Sequence, residues 1–287
     1  MNPTSTEAKS HPMLAAARTA VGLIIIGDEI LSGKRQDKHL DRVIALLQAR
    51  GMQLAWTEYV GDDPARITAT LQRAFASGDV VFSTGGIGAT PDDHTRQCAA
   101  AALGVDLHLH PEAEALIRER MQTIATEQGD AYIADSPDNR HRLNMGVFPV
   151  GAQIIPNPYN KIPGFSCSSA QGGVVHFVPG FPVMAWPMIE WVLDTLYPHW
   201  HRTSAYAEKS VIVLGTMEAA LTPLMLHLEA AYPGVKVFSL PSVDHPQYGR
   251  HIELGVKGAP GDVDLAYPTM LQGLHEFGAK ISAELVR

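Results

Sequence analysis

Six residues carrying no polar side chain, Val21-Gly22-Leu23-Ile24-Ile25-Ile26, stop abruptly at Gly27-Asp28-Glu29-Ile30-Leu31-Ser32-Gly33. A strand that is apolar at every position has to be covered on both faces, which places it at the centre of a parallel sheet. The residues downstream supply the covers. Between Gln36 and Arg50, Leu40, Val43, Ile44 and Leu47 recur at helical spacing, and Gly51 sits where a C-terminal cap belongs. Gln53 to Val60 reads as a second strand. Asp62-Asp63-Pro64 starts a helix whose buried stripe is Ile67, Leu71, Ala74 and Phe75. Capping is a sufficient explanation of that paired Asp, so no chemistry is assigned to it. Asp79 to Thr84 is a third strand. Alternation of this kind implies right-handed crossovers and an α/β fold with a doubly wound, mostly parallel sheet. Ligands in such sheets bind beyond the carboxyl ends of the strands.

The third strand leads into Thr84-Gly85-Gly86-Ile87-Gly88-Ala89-Thr90-Pro91-Asp92-Asp93-His94-Thr95, and an Ala-rich helix follows from Arg96 to Leu103. Three glycines in four positions let the backbone turn sharply and bring its N–H groups close to a ligand, while the helix N-terminus adds partial positive charge. Phosphate suits such a cradle. The carboxylates of Asp92 and Asp93 repel it unless a divalent cation lies between them. A plainer reading makes one Asp the helix cap and Pro91 the shaper of the turn. One Asp suffices for a cap, so the second favours a site. Asp28 and Glu29 end the first strand, which puts both acidic pairs at one end of the sheet and in one crevice.

Composition narrows the classes. A formal net charge of −8 without a dense Lys/Arg stripe excludes a nucleic-acid partner held by phosphate neutralisation. Cys98 and Cys167 show neither metal-ligand spacing nor a framework of pairs, which favours a reducing, cytoplasmic setting. No window reaches the length of a membrane span. Residues 1–19 are read as a disordered N-terminal tail.

Pro111 to Gln128 is a second helical stretch. Tyr132 to Met145 is polar, and its Arg140-His141-Arg142 cluster reads as a solvated face in preference to a phosphate contact. A strand runs into Pro156-Asn157-Pro158, the chain returns through Pro163-Gly164-Phe165, and Val174 to Val178 is another buried strand. Pro179-Gly180-Phe181-Pro182 opens a helix from Val183 to Leu196. The pattern breaks near Pro198 to Ser204. Residues 20–200 are therefore expected to form the ligand-binding domain. Residues 201–287 are expected to form a smaller β-α-β-β-α domain, ending in a helix from Asp262 to Leu285 and holding no catalytic cluster.

Taken in order, Gly27-Asp28-Glu29-Ile30-Leu31-Ser32-Gly33, Thr84-Gly85-Gly86-Ile87-Gly88 through Asp92-Asp93-His94-Thr95, Pro156-Asn157-Pro158 with Pro163-Gly164-Phe165, and Pro179-Gly180-Phe181-Pro182 resemble the MoaB/Mog molybdopterin-binding domain. They resemble that domain as it is found in proteins of the competence/damage-inducible protein A (CinA) type. The resemblance covers roughly residues 20 to 195, and the tail domain is similar to the small domain that follows in CinA proteins. It implies a phosphate-bearing nucleotide or pterin ligand, metal-dependent hydrolysis of a nucleotide pyrophosphate such as ADP-ribose, and a homo-oligomer. Molybdopterin bound without turnover is the alternative it implies. By motif position Asp93 is the key acid, with Asp92 its neighbour. The deamidase domain of full-length relatives is absent from these residues, and Gln36-Asp37-Lys38-His39 replaces an Asn-Thr-Asn-like run.

These readings combine into an expected site. Glu29, Asp92 and Asp93 are the candidate catalytic and metal-binding residues, holding a Mg²⁺, Mn²⁺ or Co²⁺ ion that polarises a pyrophosphate. Gly27, Asp28, Thr84, Gly85, Gly86, Gly88, His94, Thr95 and Gly164 are the expected ligand contacts, the N–H groups of Gly85 to Gly88 holding the non-bridging oxygens. His94 stays neutral at a helix start and donates a hydrogen bond to substrate, or is a plain surface histidine. Asp37 either joins the metal shell or caps the Leu40 helix.

Overall fold

A computed structural model describes residues 20–201 and 207–286. The expected tail at residues 1–19 lies outside the described residues. Two compact units emerge, one of Gln53–Pro198 with the chain up to Ala49, the other of the segment from His199 onward with Arg50–Met52.

In the first unit the chain runs β1 (Val21–Ile26), α1 (Asp28–Leu31), α2 (His39–Gln48), β2 (Leu54–Val60), α3 (Pro64–Ser77), β3 (Val80–Thr84) and α4 (Thr95–Leu103). It continues through β4 (Leu107–Leu109), α5 (Pro111–Gln128), α6 (Pro137–Leu143), β5 (Val147–Pro149), β6 (Gln153–Ile155), β7 (Gly164–Ser168), β8 (Val174–Val178) and α7 (Pro182–Leu196). The main sheet has the order β2-β1-β3-β8-β7-β6. β2, β1, β3 and β8 are parallel, and β7 and β6 turn back as an antiparallel edge. The doubly wound α/β architecture is as the apolar runs imply. Every residue of β1 and of β3 is buried, because helices cover both faces.

Strand order reverses between β1 and β3. The chain leaves β1 outward to β2 and then returns to β3, so their carboxyl ends flank a crevice. In the core of this unit, the rings of Phe148, Phe165 and Phe177 from β5, β7 and β8 stack in series with centroids 4.5 Å apart at each step. His176 is also buried here, between the Ser166 hydroxyl at 2.7 Å from Nδ1 and the Tyr197 hydroxyl at 2.8 Å from Nε2. Burial pushes its pKa down to about 3, so it is a neutral core histidine.

Two segments depart from the sequence reading. The polar stretch before Met145 contains α6, whose Ser136 side chain accepts from the Asn139 N–H at 3.2 Å as a helix cap. Cys167 lies in β7, and its burial raises the thiol to about 12.

The second unit runs β9 (Ala207–Leu214), α8 (Glu218–Ala231), β10 (Val235–His245), β11 (Gly249–Gly258), α9 (Pro260–Glu276) and β12 (Lys280–Val286). Its antiparallel sheet has the order β10-β11-β9-β12, with Val211, Val213, Leu254 and Val256 packed on Val263, Ala266, Met270 and Leu274 of α9. The final helix is shorter than expected and a strand follows it. Gly278, at φ 76°, ends the helical path, and Ile281, Ala283 and Leu285 then alternate on one face of β12.

Candidate functional site

The loop after β3 is shaped by two glycines. Gly85 has φ 99°, and a Cβ on it would lie 2.2 Å from the Ile26 carbonyl oxygen; Gly86 has φ 67°, and a Cβ there would lie 2.1 Å from the Thr95 hydroxyl. Only glycine lets this loop press against the end of β1 and the start of α4 at once. Thr95 holds it from below, its hydroxyl donating to the Gly85 carbonyl at 3.1 Å and its N–H to the Gly86 carbonyl at 3.0 Å. Thr84, fully buried at the strand end, has a hydroxyl without a hydrogen-bond partner among the described residues.

Asp93 closes the loop. Its carboxylate accepts from the Gly88 N–H at 2.8 Å, the Thr90 N–H at 2.8 Å and the Thr90 hydroxyl at 2.6 Å. Arg96, buried behind it, donates to the carbonyls of Ile87 and Gly88. Burial lowers the Arg96 guanidinium from its usual value and the Asp93 charge partly restores it. These contacts change the expected anion cradle. The Gly85 N–H donates to the Val178 carbonyl at 3.1 Å and the Gly88 N–H to Asp93, which leaves the amides of Gly86 and Ile87 without an intrachain partner among the described residues. Neither Asp92 nor Asp93 caps α4, which starts at Thr95 with His94 as an N-cap residue that makes no side-chain cap bond.

The acids cluster differently from the paired reading. Asp63 caps α3, accepting from the Arg66 N–H at 2.8 Å. Its neighbour Asp62 turns to the end of β1. Asp28 and Asp62 each donate their N–H to the other's carboxylate, at 2.8 and 3.1 Å. Burial raises the Asp62 carboxyl above its usual value; the Asp28 backbone bond opposes this, and the charges of Asp28, Glu29 and Asp92 add to the rise. Asp62 therefore feels carboxylates from the loops after both β1 and β3. Asp92 is exposed and Glu29 half-buried. Asp37 accepts from the N–H groups of His39 and Leu40 at 2.8 and 3.1 Å and from the Tyr59 hydroxyl at 2.9 Å, so it tethers the start of α2.

Carboxylate oxygens are the ligands a hard divalent cation takes, and the negative charge around Asp62 is what such a cation would relieve. Among the described residues no group of three or more His, Cys, Asp or Glu side chains is arranged to hold a metal by itself. Glu29, Asp92 and Asp93 thus do not form a three-carboxylate cage, and Asp93 is committed to the loop. An ion there would complete its shell with water and ligand oxygens, as Mg²⁺ commonly does.

Beside the loop a cavity of about 340 Å³ is lined by Thr90, Asp93, His94, Gln97, His141 and Asn144, among others. His94 faces it. His141, from the basic cluster read as solvated, donates from Nε2 to the Ala89 carbonyl at 2.8 Å, tying α6 to the loop. Gly27 is buried, and a Cβ on it would meet the Glu29 carboxylate at 2.9 Å. Gly164 lies inside β7, where a Cβ would be 2.3 Å from the Phe177 carbonyl oxygen, so its place is set by strand packing.

The arrangement has counterparts. A family model described as "probable molybdopterin binding domain" matches residues 22–199. The chain belongs to this molybdopterin-binding domain family. A protein of Pyrobaculum calidifontis is 28% identical over 256 residues, covering 87% of this chain and 94% of its own length. A CinA-like protein of an Anaeromyxobacter species is 33% identical over 174 residues, covering 60% of this chain and 40% of that protein. The chain thus matches well under half of that longer relative. The crystal structure of CinA from Thermoplasma acidophilum, described as of unknown function, superposes with a TM-score of 0.52 at 27% identity, over 61% of this chain and 98% of that one. No helix among the described residues is long and apolar enough to cross a membrane.

Asp62, Arg96 and His141 were not singled out as site residues from the sequence. Asp62 was hidden by Asp63, whose capping role explains the pair too well. Arg96 and His141 reach the loop only through the packing of α4 and α6.

Proposed function

We propose that the chain binds a phosphate-bearing small molecule at the carboxyl ends of β1, β2 and β3 and hydrolyses a phosphoanhydride bond in it, with ADP-ribose as the expected substrate and Mg²⁺, Mn²⁺ or Co²⁺ as the expected cofactor. The observation that carries this reading is the reciprocal bonding of Asp28 and Asp62, from the loops after β1 and β2, at the crevice that the glycine loop borders. Such a cation, when bound, neutralises pyrophosphate charge and acidifies a coordinated water.

The residues divide the remaining work. The unpartnered amides of Gly86 and Ile87, with the positive end of α4, receive non-bridging oxygens. Asp62 and Asp92 hold the hydrated cation, and Asp28 fixes Asp62 through their reciprocal bonds. Asp93 and Arg96 keep the loop in its receptive shape. His94 borders the cavity where the rest of the ligand lies and donates a hydrogen bond to it.

The test is formation of AMP and ribose 5-phosphate from ADP-ribose by the full chain with each metal, comparing wild type with Asp62→Asn and Asp92→Asn. Metal-dependent turnover lost in both variants supports the reading. The family's description makes molybdopterin the competing ligand. No turnover by wild type, together with tight molybdopterin binding, replaces hydrolysis with a binding role.

A further inference from the structure

Phe181 stands at the rim of the same crevice with its ring 55% exposed. A lone exposed apolar side chain means little by itself; its placement carries the argument. It follows β8 directly, and its backbone is pinned on both sides. Buried His39 donates from Nε2 to the Gly180 carbonyl at 3.0 Å, and the Phe181 carbonyl accepts from the Ala185 N–H at 2.9 Å in the first turn of α7. Gly180 packs so closely on the glycine loop that a Cβ on it would lie 3.4 Å from the Gly85 Cα. Phe181 is therefore the residue that follows the one touching the glycine loop. Arg35 lies over it, with the guanidinium carbon 5.9 Å from the ring centroid. Its backbone N–H donates to the Glu29 carbonyl at 2.9 Å, which ties the Arg35 main chain to the loop after β1. Among the described residues Arg35 makes no ion pair.

We propose that Phe181 and Arg35 form a recognition lip for a ligand that joins an aromatic heterocycle to a phosphate: the heterocycle stacks on Phe181, and the Arg35 guanidinium pairs with a phosphate oxygen. The inference rests on the phosphate-binding reading above and narrows it to ligands with a planar ring. A positive charge is what that acid-rich rim needs to admit an anion, and Arg presents a planar donor fork suited to phosphate. A ring carried on a backbone already held by hydrogen bonds loses less conformational freedom when a base covers it.

Titration calorimetry of the full chain in Mg²⁺ separates the two residues, using ADP-ribose and inorganic pyrophosphate as probes. Phe181→Ala is expected to weaken ADP-ribose roughly 5- to 150-fold, the range of base–aromatic stacking, and to leave pyrophosphate unchanged. Phe181→Trp is expected to keep ADP-ribose affinity. Arg35→Ala is expected to weaken both probes. Unchanged ADP-ribose affinity in Phe181→Ala, or an equal loss for both probes, overturns the lip while the phosphate site stands. Failure of wild type to bind either probe removes the phosphate site itself.

Discussion

Two Asp-Asp pairs follow the strands that flank β1 in the main sheet, Asp62-Asp63 after β2 and Asp92-Asp93 after β3, and they are built alike. In each pair the second carboxylate is consumed by the backbone: Asp63 caps α3, and Asp93 ties Gly88 to Thr90. Asp62 exchanges backbone hydrogen bonds with Asp28 at the end of β1, and Asp92 is exposed, its carboxyl held below the usual value first by the Thr90 hydroxyl. Assigning one whole pair to structure and the other to chemistry, as the sequence invites, divides them along the wrong line. The useful division runs within each pair. A doubled Asp thus gives the backbone its hydrogen bonds and the crevice its charge from adjacent positions.

Substitutions at the four positions can break or sharpen this comparison. The largest effect is expected at Asp93. Asp93→Ala leaves the Gly88 and Thr90 donors unmatched, so it should cost about 1–3 kcal/mol of stability in denaturant melts. ADP-ribose turnover should also fall by about 10²–10³-fold as the cradle loses its shape. Asp92→Asn should leave stability within about 0.5 kcal/mol while lowering metal affinity by about 10- to 100-fold in a Mn²⁺ titration. A large stability loss there would erase the difference between the two members of the pair. Asp63→Ala should cost about 1 kcal/mol through the lost helix cap, with ligand affinity unchanged by calorimetry. The smallest effect on stability concerns Asp62. Its carboxyl is raised in the folded protein, so the fold binds the proton more tightly than the unfolded chain does. Its contribution to stability is complete below the ordinary Asp value and is lost as pH rises through the raised value. Asp62→Asn should therefore flatten the fall in stability above about pH 4, and a steeper fall would contradict the crowding of charge.

Much of this was legible in the chain. Unbroken apolar strands, amphipathic helices and glycines at turns follow from local rules, which is why β1, β3, α3 and the glycine loop stand where the residues place them. That the loops after β1 and β3 leave the same end of the sheet followed from those strands being parallel. The illegible part came from contacts between residues distant in sequence. The bond between His141 and Ala89 spans 52 positions, and the one between His39 and Gly180 spans 141. No local pattern encodes either. The helix read through to Leu285 failed for another reason. Helical periodicity up to Glu276 was carried across Gly278, although Ile281, Ala283 and Leu285 already alternate as a strand does.

The second unit gives the contrast to the first. Its core is a sheet packed on α8 and α9, with Val211, Val213 and Leu254 fully buried, and its sequence from residue 199 onward has no adjacent glycines and no Asp-Asp pair. Chemistry on this chain is accordingly assigned to the ends of β1, β2 and β3.

The most direct test of that assignment is an ADP-ribose titration of the full chain, with and without Mg²⁺, in wild type and in the double variant Asp62→Asn/Asp92→Asn. Wild type should bind far more tightly with the metal, and the double variant should bind equally weakly in both conditions. Equal enhancement by Mg²⁺ in the two proteins would contradict the account.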